Sequence, residues 1–410
     1  MNKQVVLISF LFFFVTKNVR SQWNEIFNDT NYSWLSDVKF INNDTGFVCG
    51  ASVAFPYSVV FKTTDGGNTW DTIHLSDGWL MSLSIVNDTI IYAGGQDAVS
   101  FKSIDGGLSW IHNGMIPGCC DDLSTLYYLN EDTGIAVRFN AGIWKTEDGI
   151  NWTRPNFGGH SYFPNTSSIQ FINDSTGYVA MDTVYKTSDY GTTWTRLNVD
   201  SIIAAKCIYM KNINDGIVVG EHGKISLTFD GGNSWTSPTT ISTLTLYDVG
   251  FISDSVGFIV SGYNYFPPEN DWGEIYVTRN KGFTWSLMQS FNYSLTSLQF
   301  VNDSTGFAVG KSGKIIKIIN AKTINNDKVE MKNQILLFPN PFNISTTLQI
   351  NSRHSNLQMS LYNILGKCVK HEFITDKFTE INRDHLSSGI YLIQISDDLG
   401  LYSTIKCIIY

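Results

Sequence analysis

Six carboxylates fall in irregular stretches of this sequence, Asp77, Asp121, Asp122, Glu221, Glu269 and Asp271. Two carboxyl groups brought to about 5–10 Å in one cleft form the acid and base of glycosidic hydrolysis. Arginines suit a different chemistry, the gripping of a sugar carboxylate, which needs several of them converging. Between residues 22 and 322 there are only Arg138, Arg154, Arg196 and Arg279, and Arg154 and Arg196 hold equivalent places just past two regularly spaced tryptophans. That pattern argues against such a site. Glu221-His222 is a polar step before Gly223, expected at an exposed turn rather than in a catalytic centre. The six cysteines include a vicinal pair, Cys119-Cys120, and export would permit bridges, of which Cys368 with Cys407 would lie within one C-terminal unit. No Cys-x-x-Cys or His-rich spacing points to zinc, so neither a metal site nor a cofactor is expected.

Aromatic rings form the second chemical class, at 14% of the chain. Several gather in segments read as loops: Tyr32 to Asp37, Ala54 to Tyr57, Asp77 to Leu80, Met115 to Asp122, Phe157 to Phe163, and the long Tyr263 to Trp272. Rings beside polar groups suit sugars or peptide side chains. Trp34, Trp79, Tyr162, Tyr265 and Trp272, with Asp271 as polar companion, are the candidate binding residues.

The elements that must position these loops are repeats. Six segments follow Ser/Thr-x-Asp-x-Gly-x-Ser/Thr-Trp, the third one residue short, with tryptophans at 70, 110, 152, 194, 235 and 285. Their acidic or amide positions are Asp65, Asp105, Asp148, Asp189, Asp230 and Asn280. A carboxylate there can accept hydrogen bonds from turn amides, and glycine admits the positive φ of a tight hairpin. Repetition in every copy makes the box structural, since catalysis needs one constellation. Between boxes recurs an apolar run, Asn-Asp-x-x-Gly, and another apolar run, with glycines at 46, 134, 177, 216, 257 and 306. Asn87-Asp88-Thr89-Ile90 is a degenerate seventh copy. The last copy lacks a box tryptophan, while Trp23-Asn24-Glu25-Ile26 resembles the strand after each box. The N-terminal strand is therefore expected to complete a seventh blade and pair both open edges.

These motifs resemble Asp-box (bacterial neuraminidase repeat) propellers, in particular the photosystem II assembly-factor-like family. The resemblance implies an all-β, seven-bladed propeller over residues 22–322, with boxes and Asp-x-x-Gly turns on one face and variable loops on the other. It specifies a fold more than a function. Relatives that hydrolyse xyloglucan use two tandem propellers, and here there is one.

After a linker at 323–334, residues 335–410 read as a small immunoglobulin-like β-sandwich. Pro339-Asn340-Pro341, Tyr362-Asn363-Ile364-Leu365-Gly366-Lys367, Ser388-Gly389-Ile390-Tyr391 and the last strand from Lys406 are similar to the type A sorting domain of type IX secretion. The resemblance implies engagement of that secretion machinery, then release or surface attachment, with the domain removed on export. Lys3 followed by the apolar run Val5 to Val15 reads as a signal peptide over residues 1–21, cut before Gln22; the run is too short to span a bilayer. Loss of Lys3, Lys17 and Arg20 takes the formal charge from −9 to −12. An acidic chain without basic clusters is a poor partner for nucleic acid or anionic membranes. The reading is a secreted or surface-attached binding module for glycan or protein. It leans against an enzyme, and a glycoside hydrolase using loop carboxylates is the alternative.

Overall fold

The computed structural model describes residues 22–53, 58–75, 78–116, 121–139, 141–157, 168–181, 183–200, 203–263, 271–321, 335–350, 357–374, 376, 378–397 and 400–410. The expected signal peptide, linker, and Cys119-Cys120 lie outside them, as do Tyr162, Tyr265, Asp77 and Glu269. Residues 22–321 form seven sheets of four antiparallel strands that run outward from an innermost strand, in chain order except at the outermost strand of blade 7. Asn156–Phe157 adds a parallel strand to the outer edge of blade 4. Blades 1 to 7 begin with Tyr32–Phe40, Leu80–Ile85, Leu123–Tyr128, Ser168–Phe171, Ala205–Met210, Thr245–Phe251 and Leu295–Phe300. Each innermost strand touches the next, and the seventh touches the first, so the sheets close into a ring. Apolar clusters fill each blade-to-blade boundary; one joins Tyr178 and Ala180 of blade 4 to Ile208 and Val218 of blade 5. No helix among the described residues is long and apolar enough to cross a membrane.

The glycine of Asn-Asp-x-x-Gly has a packing cause. Phe40, Tyr128, Phe171, Phe251 and Phe300 end their innermost strands directly opposite Gly46, Gly134, Gly177, Gly257 and Gly306. A Cβ on Gly306 would meet the Phe300 ring at 2.5 Å. Each of these rings also meets its blade's box tryptophan edge-on, as Phe40 does Trp70 at 6.2 Å. Blade 2 supports the same logic by exception, since Ile85 stands opposite Ile91 and neither the ring nor the glycine is present.

Blade 7 has the predicted closure. Trp23–Asn28 pairs antiparallel with Lys314–Ile318 as its outermost strand. Trp23 takes the box-tryptophan place, 6.0 Å from Phe300. The Gln289 amide clasps its backbone, accepting from Trp23 N at 3.1 Å and donating to Trp23 O at 3.0 Å.

In the first box, Asp65 Oδ1 accepts from the Asn68 and Thr69 amides at 2.9 Å, and Oδ2 accepts from Thr69 Oγ1 at 2.7 Å. These bonds hold Asp65 at about 2, below the ordinary carboxylate value. The Thr69 amide contributes most. In the fifth copy the Ser234 hydroxyl and amide lower Asp230 in the same sense. Asn280 keeps the geometry with a reversed donor, its Nδ2 donating to Thr284 Oγ1 at 3.1 Å. The Gly66 amide donates to Asp44 O at 2.8 Å, which puts box and Asn-Asp turn on one face. Tyr190 follows the box aspartate where other boxes have Gly66, Gly106 and Gly231, and shares their positive φ at 60°. Left-handed backbone costs a non-glycine residue about 1–2 kcal/mol.

Tyr32 to Asp37 is not a loop but part of the innermost strand of blade 1. Its register shifts at Tyr32/Trp34 and again at Leu35/Asp37, which breaks the alternation that marks a strand.

The C-terminal unit is a two-sheet sandwich around Phe342, Leu348, Met359, Ile381, Ile393 and Cys407. Asn340 ties the opening to the last strand, donating to Lys406 O at 2.7 Å and accepting from Ile408 N at 2.8 Å. Asn363 caps its turn through the Leu365 and Lys367 amides, each at 3.0 Å. Cys368 and Cys407, which export would permit to bridge, are free thiols, one exposed and one buried, on opposite outer strands of one sheet.

Candidate functional site

The boxes occupy one face, so the candidate ligand residues belong to the other. Six of the innermost strands carry a register shift just below that face. The shift leaves an extra residue there, among them Lys206 and Tyr247, and re-aims the polar residue that follows. Those polar residues line a central channel of about 470 Å3. They also stitch neighbouring blades. Asp37 Oδ2 accepts from Leu83 N at 3.0 Å, Ser82 Oγ from Leu126 N at 3.2 Å, and Asp248 Oδ2 from Leu298 N at 2.9 Å. Ser168 Oγ accepts from Ile208 N at 2.9 Å.

Two of these positions hold carboxylates. Ser297 Oγ lies 3.1 Å from Asp37 Oδ1 and 3.1 Å from Asp248 Oδ2. A hydroxyl has one proton to donate, so a proton on Asp248 completes the trio. Burial raises the Asp248 pKa, which favours that proton. Lys39 Nζ is 3.0 Å from Asp37. Burial opposes the lysine's charge, but the Asp37 and Asp248 carboxylates outweigh it and raise its pKa.

On the loop face, a crescent of side chains runs over blades 5, 6, 7 and 1. Lys206 Nζ meets Glu221 Oε1 at 3.0 Å. Glu274 accepts from Ser242 Oγ at 3.1 Å, from Trp272 Nε1 at 3.2 Å, and from the Tyr276 hydroxyl. Asp271 Oδ1 accepts from Lys311 Nζ and from Ser294 Oγ, both at 2.9 Å. Lys311 also lies 5.0 Å from the Trp34 ring centroid.

The structure thus brings together Trp34, Asp271 and Trp272 through Lys311 and Glu274. The Asp271 carboxylate is enclosed, and the Trp272 ring stays 44% exposed. Trp79, also exposed, stands apart at the junction of blades 1 and 2, with its amide donating to Gln96 Oε1 at 3.3 Å. Of the other loop carboxylates, Asp122 Oδ1 accepts from the Asp97 amide at 3.0 Å. Among the described residues no group of three or more His, Cys, Asp or Glu is placed to hold a metal.

Sequence reasoning passed over Lys311, Ser294, Glu274 and the channel carboxylates. A signal for the channel was present: Leu-x-polar-apolar recurs as Leu35-Ser36-Asp37-Val38, Leu246-Tyr247-Asp248-Val249 and Leu295-Thr296-Ser297-Leu298. Lys311 and Glu221 share a second one, the place after the glycine that ends their strands, Gly310 and Gly220.

Residues 336–410 match the secretion system C-terminal sorting domain family. Among solved structures, YCF48 bound to D1 peptide is 16% identical with a TM-score of 0.57, over 73% of this chain and 96% of that one. YCF48 from Cyanidioschyzon merolae is 18% identical with a TM-score of 0.56, over 73% and 99%. The WD40 β-propeller domain of Doa1 is 11% identical with a TM-score of 0.54, over 75% and 99%. No functionally curated protein matches the chain. At these identities the structures speak for fold alone, and the sorting family speaks for the C-terminal unit. This chain is a seven-bladed β-propeller followed by a type IX secretion C-terminal sorting domain, and hence a secreted or cell-surface protein.

Proposed function

We propose that the chain is a non-catalytic binding module whose loop face holds a glycan or protein ligand. One observation carries this reading. Four loop-face carboxylates, Asp122, Glu221, Asp271 and Glu274, are engaged by protein groups, while the rings of Trp272, Tyr263 and Trp79 stay exposed. A hydrolase needs an acid and a base left open to substrate, whereas a binding site needs rings on a rigid floor. YCF48, of the same fold, is bound to a peptide, so peptides belong beside glycans among the candidate ligands.

The organisation proposed with it is a signal peptide over residues 1–21, an Asp-box propeller over 22–322, a linker over 323–334 and a sorting domain over 335–410. The sorting domain would engage the type IX machinery and be removed or retained at the surface. The test is the mature chain on a glycan array and a peptide panel, with release of reducing ends followed in parallel. Saturable binding without release, lost in Trp272→Ala, is expected. Released sugar that disappears on a single carboxylate change would overturn the reading in favour of a hydrolase.

A further inference from the structure

The box face also carries chemistry that the turn does not require. The residues flanking each box aspartate and its glycines are free of hairpin demands, and blade 1 fills them with Thr64 and Asn68. From blade 2 to blade 6 the same places hold the exposed Ile104, Leu108, Ile150, Phe229 and Phe283, Leu108 at 74%, alongside Glu147, Ser188, Thr192, Asn233 and Arg279. Blade 4 instead carries Tyr190, 54% exposed, in the glycine place. Single exposed apolar residues are ordinary, but an arc of them on the box turns of one face marks an interaction surface. Phe229 and Phe283 stack across the blade 5–6 boundary with centroids 5.6 Å apart. Tyr190 is the strongest member, because its positive φ would be relaxed by glycine and its exposed ring recovers little from packing.

Beside Tyr190 a groove of about 570 Å3 runs between blades 3 and 4, lined also by Leu129, Asn130, Lys145, Glu147 and Asp174. The lysine is enclosed, with Nζ 2.8 Å from Glu147 Oε1 and 2.8 Å from Thr192 Oγ1. Glu147 and Asp174 face solvent, so the groove presents an aromatic ring and two carboxylates, one of them shared with Lys145. That combination fits a Lys or Arg side chain, by ion pairing and by cation–π attraction. Exposed aspartates at the other turns of this kind, Asp44, Asp88, Asp132 and Asp303, extend the same sign of charge over the face, while Asp254 is paired with Lys281. A second copy of this acidic chain would be repelled.

We propose that the box face docks a basic, apolar-flanked peptide segment of a partner protein, with a Lys or Arg seated on Tyr190 between Glu147 and Asp174. This surface lies opposite the loop-face site and does not depend on it. The probe is a fluorescent 12-residue peptide alternating Lys and Leu, with an all-Lys peptide and a Glu/Leu peptide for comparison. Anisotropy is followed on the mature full chain. Saturable binding of the Lys/Leu peptide is expected, weakened by salt, with the Glu/Leu peptide silent and the all-Lys peptide at least fivefold weaker. Tyr190→Gly should weaken binding at least fivefold without lowering the thermal midpoint, which separates recognition from folding. Glu147→Gln with Asp174→Asn should weaken it further. Absence of saturable binding, equal binding of the all-Lys peptide, or insensitivity to Tyr190→Gly would each overturn the proposal. So would loss of binding only in Trp272→Ala, which would assign the peptide to the loop face.

Discussion

Closure by the N-terminal strand makes a quantitative demand on Trp23. Its side chain is 1% exposed, in a cluster with Phe258, Val277, Leu298 and Ile316 from blades 6 and 7. Its ring meets Phe258 at 6.2 Å and Phe300 at 6.0 Å, both edge-to-face. Burying about 200 Å2 of indole at about 25 cal/mol per Å2 is worth about 5 kcal/mol, and buried Trp→Ala changes cost about 3–5 kcal/mol. Trp23→Ala should therefore lower the unfolding free energy in urea by about 4 kcal/mol, and Trp23→Phe by less than half of that. Gln289→Ala, which removes only the clasp on the backbone, should cost about 1 kcal/mol. Hydrogen exchange should localise the effect, with Trp23→Ala stripping protection from Lys314–Ile318, the pairing partner. A loss under about 1 kcal/mol with exchange at Lys314–Ile318 unchanged would refute the closure argument.

Four further outcomes follow from the same contacts. Gly306→Ala drives a Cβ into the Phe300 ring and should destabilise by about 1–3 kcal/mol, while Gly306→Ala with Phe300→Ile, the solution blade 2 uses, should recover part of it. Lys311→Met leaves the Asp271 carboxylate buried without its cation and should cost about 3 kcal/mol by urea titration, with a smaller loss in Lys311→Met/Asp271→Leu. The box carboxylates Asp65 and Asp105 titrate at about 2 when folded, so their support is complete above the unfolded value of about 4 and is lost as pH falls toward 2. Asp248 acts oppositely, since its raised pKa weakens the fold as pH rises above about 4, so the thermal midpoint should climb as pH falls from 7 toward 5 and drop steeply below 4. Burial pushes the Cys49 and Cys207 thiols well up, so in native protein iodoacetamide should alkylate exposed Cys368 long before either.

The scaffold was legible because its determinants are local and repeated. A box aspartate bonds residues three and four places on, and an Asn such as Asn42 caps amides two and three places on, so sequence spacing is nearly the geometry itself. The loop-face crescent was only half legible. Trp34, Asp271 and Trp272 were visible as types, but Asp271 is engaged by Lys311, 40 residues away in the next blade. Such a contact depends on how blades turn about the axis, which no periodicity encodes. Register shifts hid the innermost strand of blade 1 for a related reason, because an extra residue in the ladder breaks the two-residue period that marks a strand.

The polar contacts are unevenly distributed, and their bias has a physical reason. Blade 7 is the one blade built from both ends of the propeller segment, so no covalent turn holds its outermost strand. Carboxylates gather around this joint. Asp37 of blade 1 and Asp248 of blade 6 share Ser297 of blade 7 in the channel. Asp271 of blade 6 and Trp34 of blade 1 share Lys311 of blade 7 on the loop face. Glu25 of the closing strand takes Lys314 at 3.1 Å and the Tyr293 hydroxyl at 3.0 Å. A ligand seated on the rings of Trp34 and Trp272 would span the same three blades. Binding there would be linked to closure, because such a ligand would meet its full contact set only when blades 6, 7 and 1 are docked. At a ligand concentration 100 times its Kd that linkage is worth about 2.7 kcal/mol. It should restore more than half of what Trp23→Ala removes, although the ligand touches no atom of Trp23.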